Sequence, residues 1–107
     1  MESCIFCQII ADKVSCEKVL EDRDCLAFKS IDPQAQVHIL VIPKRHVERP
    51  EELTGVELES MFKASEEVAQ IAGVKEAGYK LCFNVGKPYQ HVPHVHLHVL
   101  GGSDLHD

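Results

Sequence analysis

The chain of 107 residues carries a formal net charge of −6, with 45% hydrophobic and 26% charged residues, a balance that describes one globular domain over residues 1–107 and argues against disorder. No run approaches the roughly 20 apolar residues that cross a bilayer, and the acid excess opposes broad attraction to nucleic acid or an anionic membrane, so neither is expected as a partner. Five cysteines, an odd number, behind an acidic start that makes a poor secretory signal point to free thiols in a reducing, cytoplasmic setting.

In chain order, Ser3 is placed to cap a short helix over CIFCQIIADK, in which Ile5, Phe6, Ile9 and Ile10 recur at helical spacing. KVLED and CLAFKSI, parted by the polar Arg23 and Asp24, read as strands, and VHILVIP reads as a third, stopped by Pro43. A meander of the three follows. Thr54 and Glu57 have the spacing of a capping box, and Leu58, Met61, Phe62, Ser65, Val68, Ala69 and Ala72 form one stripe that ends near Gly73. YKLCFNVG reads as a fourth strand, KPYQ as a loop, and HVHLHVLGG as a fifth strand ending at Gly101 and Gly102. Short hairpin-like links leave little room for parallel crossovers. The fold class is therefore α+β: a five-stranded antiparallel sheet with two helices, placed on one side of it.

In the last strand His94, His96 and His98 alternate with Val95, Leu97 and Val99. A period of two sorts these residues into an aliphatic core face and an imidazole face turned to a cleft or to solvent. Alternate side chains lie about 7 Å apart along a strand, so two imidazoles can touch one substrate group or grip one metal ion. An imidazole with its ordinary pKa of about 6.5 is largely neutral at pH 7; one nitrogen can attack phosphorus while a hydrogen bond holds the other. No metal is required for that step.

The run HVHLHVL is similar to the histidine-triad signature, IDPQAQVHILVIPKRH resembles that family's upstream strand segment, and CIFCQII resembles its amino-terminal helix. The ending HVLGG and the short length look most like the Hint branch. The resemblance implies the HIT-like fold, commonly a homodimer with a continuous sheet. It also implies hydrolysis or transfer at the α-phosphorus of a purine nucleoside phosphoramidate or related adenylate, through a covalent nucleotidyl-histidine. By that resemblance His96 is the nucleophile, His98 and His38 support the phosphate, Asn84 and Gln90 are polar phosphate contacts, and Ile5, Phe6, Ile9, Phe28, Ile31 and Leu40 line the base and ribose pocket. Taken alone, the two amides read as ordinary loop groups and the apolar set as core. Ser30 stands where related proteins often carry an acidic residue for the ribose hydroxyls, and a serine holds them less strongly than a carboxylate.

Cys4 and Cys7 form a C-x-x-C pair, compatible with a zinc half-site, a redox pair or two buried thiols. His46 and His94 would complete a tetrahedral structural zinc site, an arrangement that some histidine-triad proteins resemble; the alternative is reduced, metal-free cysteines. Cys16, Cys25 and Cys82 read as small hydrophobes or bystanders, Lys44 and Arg45 as solvated cations, and Glu57, Glu59, Glu66 and Glu67 as a wet helix face. Against the resemblance, the loop GKPYQHV is shortened and carries His91 where a small hydroxyl residue is more typical; His91 either adds a phosphate contact or faces solvent. The ending at Asp107 lacks the longer tail that shapes substrate choice in some relatives. Two other functions stay open: a nucleotide-binding, zinc-stabilised interaction module with little turnover, and a metalloenzyme that uses the His-x-His pairs as catalytic ligands.

Overall fold

The β-branched and aromatic runs become five strands, β1 (Lys18–Glu21), β2 (Cys25–Lys29), β3 (Val37–Pro43), β4 (Tyr79–Phe83) and β5 (Leu97–Gly101). In the computed structural model, which describes residues 3–102, they pair into one antiparallel sheet in the order β1-β2-β3-β5-β4. The first three make the expected meander. β5 then enters between β3 and β4, with Leu97 opposite both Val41 and Phe83, so the histidine strand is held from both sides. It starts later than its alternating pattern suggests. His94 N–H closes a turn onto the Val92 carbonyl at 2.8 Å and Val95 N–H donates to the Val47 carbonyl at 2.7 Å, and residues 94–96 stay outside the ladder.

The short helix α1 (Ile5–Ile10) is capped by Cys4 rather than Ser3, the Cys4 Sγ accepting the Cys7 N–H at 3.5 Å. The long helix α2 (Gly55–Ile71) starts on the expected capping box and ends before Gly73, whose φ of +79° is the left-handed conformation that closes a helix without penalty at glycine. Met61, Ala64, Ser65, Val68 and Ala69 face the sheet, while Leu58 and Phe62, expected in that stripe, lie at its exposed margin.

The expectation of both helices on one side is corrected. α2 packs with Ala27, Ile39, Val41, Val95, Leu97 and Val99, whereas Phe6 and Ile9 of α1 pack on the opposite face with Leu26, Phe28, Leu40 and Ile42. β2 and β3 are apolar at both parities, so each face of the sheet needs a cover. One helix per face supplies it, and α1 roofs the imidazole face.

Glu57 is also corrected: it is 9% exposed rather than on the wet face. Its carboxylate accepts Thr54 N–H at 2.8 Å and takes the Arg45 guanidinium through two bonds of 2.8 Å each. The guanidinium, with burial opposing it, holds the carboxyl down at about 2. A depressed acid stabilises the fold above its unfolded pKa and loses that contribution as pH falls through the folded one. Glu57→Ala is therefore expected to cost about 1–2 kcal/mol at pH 7, the size of a lost cap with its charged bond. Urea unfolding should show that cost shrinking as pH falls from the ordinary 4.5 towards about 2; an equal cost at both ends would contradict the assignment. Among the described residues, no helix is long and apolar enough to cross a membrane.

Candidate functional site

His38 on β3 and His98 on β5 lie on the face roofed by α1, and His96, just ahead of β5, shares it: ring centroids are 4.8 Å apart for His96 and His98 and 5.1 Å for His98 and His38. All three are 6–8% exposed. The edge of Phe6 meets the His96 ring at 5.1 Å.

Backbone groups decide where each proton sits. The Gln34 N–H donates to His38 Nδ1 at 3.0 Å, so a neutral His38 carries its proton on Nε2. That Nε2–H donates to His98 Nδ1 at 2.9 Å, which leaves the His98 proton on its own Nε2. The Asn84 Nδ2 lies 3.4 Å from this nitrogen, while its Oδ1 accepts the Cys82 thiol at 3.5 Å; two N–H donors thus stand side by side, both available to a ligand. His96 is fixed separately, its Nδ1–H donating to the His94 carbonyl at 2.8 Å. The lone pair of His96 therefore sits on Nε2, which makes no hydrogen bond among the described residues. Every fully covered side-chain nitrogen or oxygen among them has a partner, so Nε2 must open into the cleft. Burial lowers the pKa of all three rings, that of His98 to about 4 with the help of His96 and His38. Neutral N–H donors, rather than imidazolium ions, face the cleft at pH 7.

The cleft holds about 300 Å³ and is walled by Ile5, Phe6, Ile9, Phe28, Ile31 and Leu40, with Ser30 also in its lining. Ile31 is 97% exposed at its mouth. Gln90 stands apart from this lining: its Oε1 accepts Gly86 N–H at 2.9 Å and its Nε2 donates to the carbonyls of Glu48 and Val92 at 2.8 and 3.0 Å. It braces the loop ahead of His91. His91 is exposed and reaches the cleft. Sequence reasoning missed Asp32, Gln34, Ser15 and Cys16, which line it too. Asp32 had a visible signal, a charge two residues from Ser30; the work of Gln34 is done by its backbone, which no side-chain pattern reveals. Elsewhere Lys44 pairs with Glu21 at 2.8 Å, and the Cys25 thiol is buried in the core and pushed by that burial to about 12.

Cys4, Cys7, His46 and His94 converge beside the cleft, their donor atoms all within 4.8 Å of one another. His94 Nδ1 lies 3.4 Å from Cys4 Sγ and 3.6 Å from Cys7 Sγ, and His46 Nδ1 lies 3.3 Å from Cys7 Sγ. A tetrahedral ion with ligands at 2.0–2.3 Å separates them by about 3.5 Å. The other nitrogen of His94 is fixed by the Pro43 carbonyl at 2.9 Å, which leaves the lone pair on Nδ1, aimed at the thiols. These four residues can hold a metal ion. His94 thus serves two sites, its ring in the cluster and its carbonyl on His96. The ending at Asp107 lies outside the described residues.

The pattern of the HIT domain family matches residues 11–105. A 13.2 kDa HIT-like protein of Azospirillum brasilense is 42% identical over 106 residues, covering 94% of this chain and 87% of its own length. Among solved structures, a HIT family hydrolase from Clostridium thermocellum superposes with a TM-score of 0.94 at 38% identity, over 100% of this chain and 96% of its own. A histidine triad nucleotide-binding protein from Candida albicans gives 0.87 at 27% identity, over 98% and 85%. A zinc-bound histidine triad family protein from Mycobacterium smegmatis gives 0.83 at 30% identity, over 92% and 74%.

Proposed function

The chain belongs to the HIT family, and on that premise we propose that it is a nucleotide hydrolase or transferase acting at the α-phosphorus of purine nucleoside phosphoramidates or related adenylates. The observation that carries this reading is the free Nε2 of His96, opening into a cleft whose apolar walls suit a base and whose neighbouring imidazole presents an N–H. Nε2 attacks phosphorus, the electron pair of the breaking bond departs with the leaving group, an amine taking its proton from water, and a nucleotidyl group is left on His96. Water then attacks the same phosphorus and releases the imidazole, so that one difficult displacement becomes two easier ones.

The charge that develops on the attacking ring is shared through Nδ1–H with the His94 carbonyl. His98 Nε2–H, fixed before substrate arrives by the chain of bonds that begins at the Gln34 backbone, and the Asn84 NH2, held by the Cys82 thiol on its oxygen, are the donors available to the non-bridging oxygens. Cys4, Cys7, His46 and His94 would hold zinc, two thiolates with two imidazoles being a donor set that zinc favours. The ion would cross-link α1 to the loop after β3 and to the histidine segment.

Because burial depresses His38, His96 and His98 alike, the neutral relay and the free Nε2 persist below the ordinary histidine value of 6.5. The acid limb of kcat/KM is therefore expected below 6.5, where the first of these rings takes up a proton. An acid limb centred at 6.5 would contradict the tautomer assignment. Calorimetry with AMP beside a turnover assay tests the function itself: cleavage of a nucleoside phosphoramidate is the expected result, and tight binding without cleavage of any nucleotide substrate would make the chain a binding module instead.

A further inference from the structure

Resting on the nucleotide reading above, we propose that Asp32 reads the vicinal hydroxyls of the substrate's ribose. Among the described residues Asp32 is the one acidic side chain in the cleft lining. Its carboxylate makes no ion pair or hydrogen bond among them, whereas its backbone N–H donates to Ser30 Oγ at 3.2 Å. Ser30 Oγ thus shapes the turn that carries Asp32, and the carboxylate is left for a ligand.

The loop that carries Asp32 is pinned at both ends of its tip. Ser30 N–H donates to the His38 carbonyl at 3.0 Å and Gln34 N–H to the His38 ring at 3.0 Å, so the backbone on either side of Asp32 is tied to the histidine relay. The carboxylate lies close enough to His38 for its charge to oppose the effect of burial on that ring. It thus shares one cleft with the imidazoles and the apolar walls, and the sugar of a nucleotide lies between its phosphate and its base. A vicinal diol offers two O–H donors and an ionised carboxylate offers two acceptor oxygens, a charge-assisted pairing that no neutral group in the lining reproduces. The substrate class is accordingly a ribonucleotide rather than a deoxyribonucleotide.

Steady-state kinetics with adenosine 5′-phosphoramidate and its 2′,3′-dideoxy counterpart, on the full chain as wild type, Asp32→Asn and Asp32→Ala, test this. The wild-type KM ratio, dideoxy over ribo, should be about tenfold or more, the scale of a hydrogen bond to a charged group. It should fall near one in Asp32→Ala and lie between the two in Asp32→Asn. A ratio that survives in both variants overturns the proposal, because another group then reads the sugar; so does a wild-type ratio near one with both substrates turned over. If the wild type neither binds nor cleaves either compound, the nucleotide reading fails, and this inference fails with it.

Discussion

Replacing His96 with alanine is expected to lower turnover of a fluorogenic adenosine phosphoramidate by roughly ten-thousand-fold or more, the scale seen when a covalent nucleophile is removed. AMP should still bind, because the cleft walls and the His98 Nε2–H that meet it are untouched. The fold should also tolerate the change. His96 is 8% exposed, and its ring packs against the edge of Phe6 at 5.1 Å and beside His98 at 4.8 Å. Losing those contacts costs about 1–3 kcal/mol, short of the 5–15 typical of a whole domain. Thermal melting measured beside the assay separates a lost nucleophile from a lost fold, and a variant that stays folded with wild-type turnover would remove His96 from the chemistry.

The second large effect concerns the thiol–imidazole cluster. α1 spans six residues, far below the length at which a helix persists by itself in water, so its place depends on what ties it down. Its cap and first turn supply Cys4 and Cys7, while Phe6 and Ile9 of the same helix wall the cleft. Zinc is expected at one ion per chain by elemental analysis. Its removal by a chelator, or the double change Cys4→Ser with Cys7→Ser, should lower Tm by about 10 °C or more, equivalent to at least about 2 kcal/mol for a domain of this size. KM should rise more than kcat falls, because the cleft wall loosens while His96 keeps its bond to the His94 carbonyl. A purified chain without zinc, whose double variant melts and binds substrate as wild type does, would overturn the structural-zinc assignment.

Periodicity carried most of the fold. The alternating segment from His94 placed Val95, Leu97 and Val99 in the core, and the spacing of Thr54 and Glu57 located the start of α2 to the residue. Strand order was beyond its reach, because pairing β5 between β3 and β4 is a long-range choice that short links do not encode. The opposite placement of α1 had a sign that alternation arguments overlooked: after His38, residues 39–43 are apolar without a break, the mark of a strand covered on both faces. Glu57 looked wet because acidic residues at a helix start commonly are; Arg45, twelve positions upstream, made it a buried partner. The imidazoles themselves were legible, but the groups that set their protons are the Pro43 and His94 carbonyls and the Gln34 N–H, and backbone atoms leave no trace in residue identity.

The stereochemical course at the α-phosphorus is the most direct test of attack by His96. Each in-line displacement inverts phosphorus, so a nucleotidyl-histidine formed and then hydrolysed gives net retention. A phosphoramidate made chiral by sulfur at that phosphorus, hydrolysed in 18O-labelled water, should yield product of retained configuration, with the transient nucleotidyl group mapping to the peptide that contains His96. Inversion would mean that water attacks the substrate directly, and the imidazole at position 96 would then be no nucleophile.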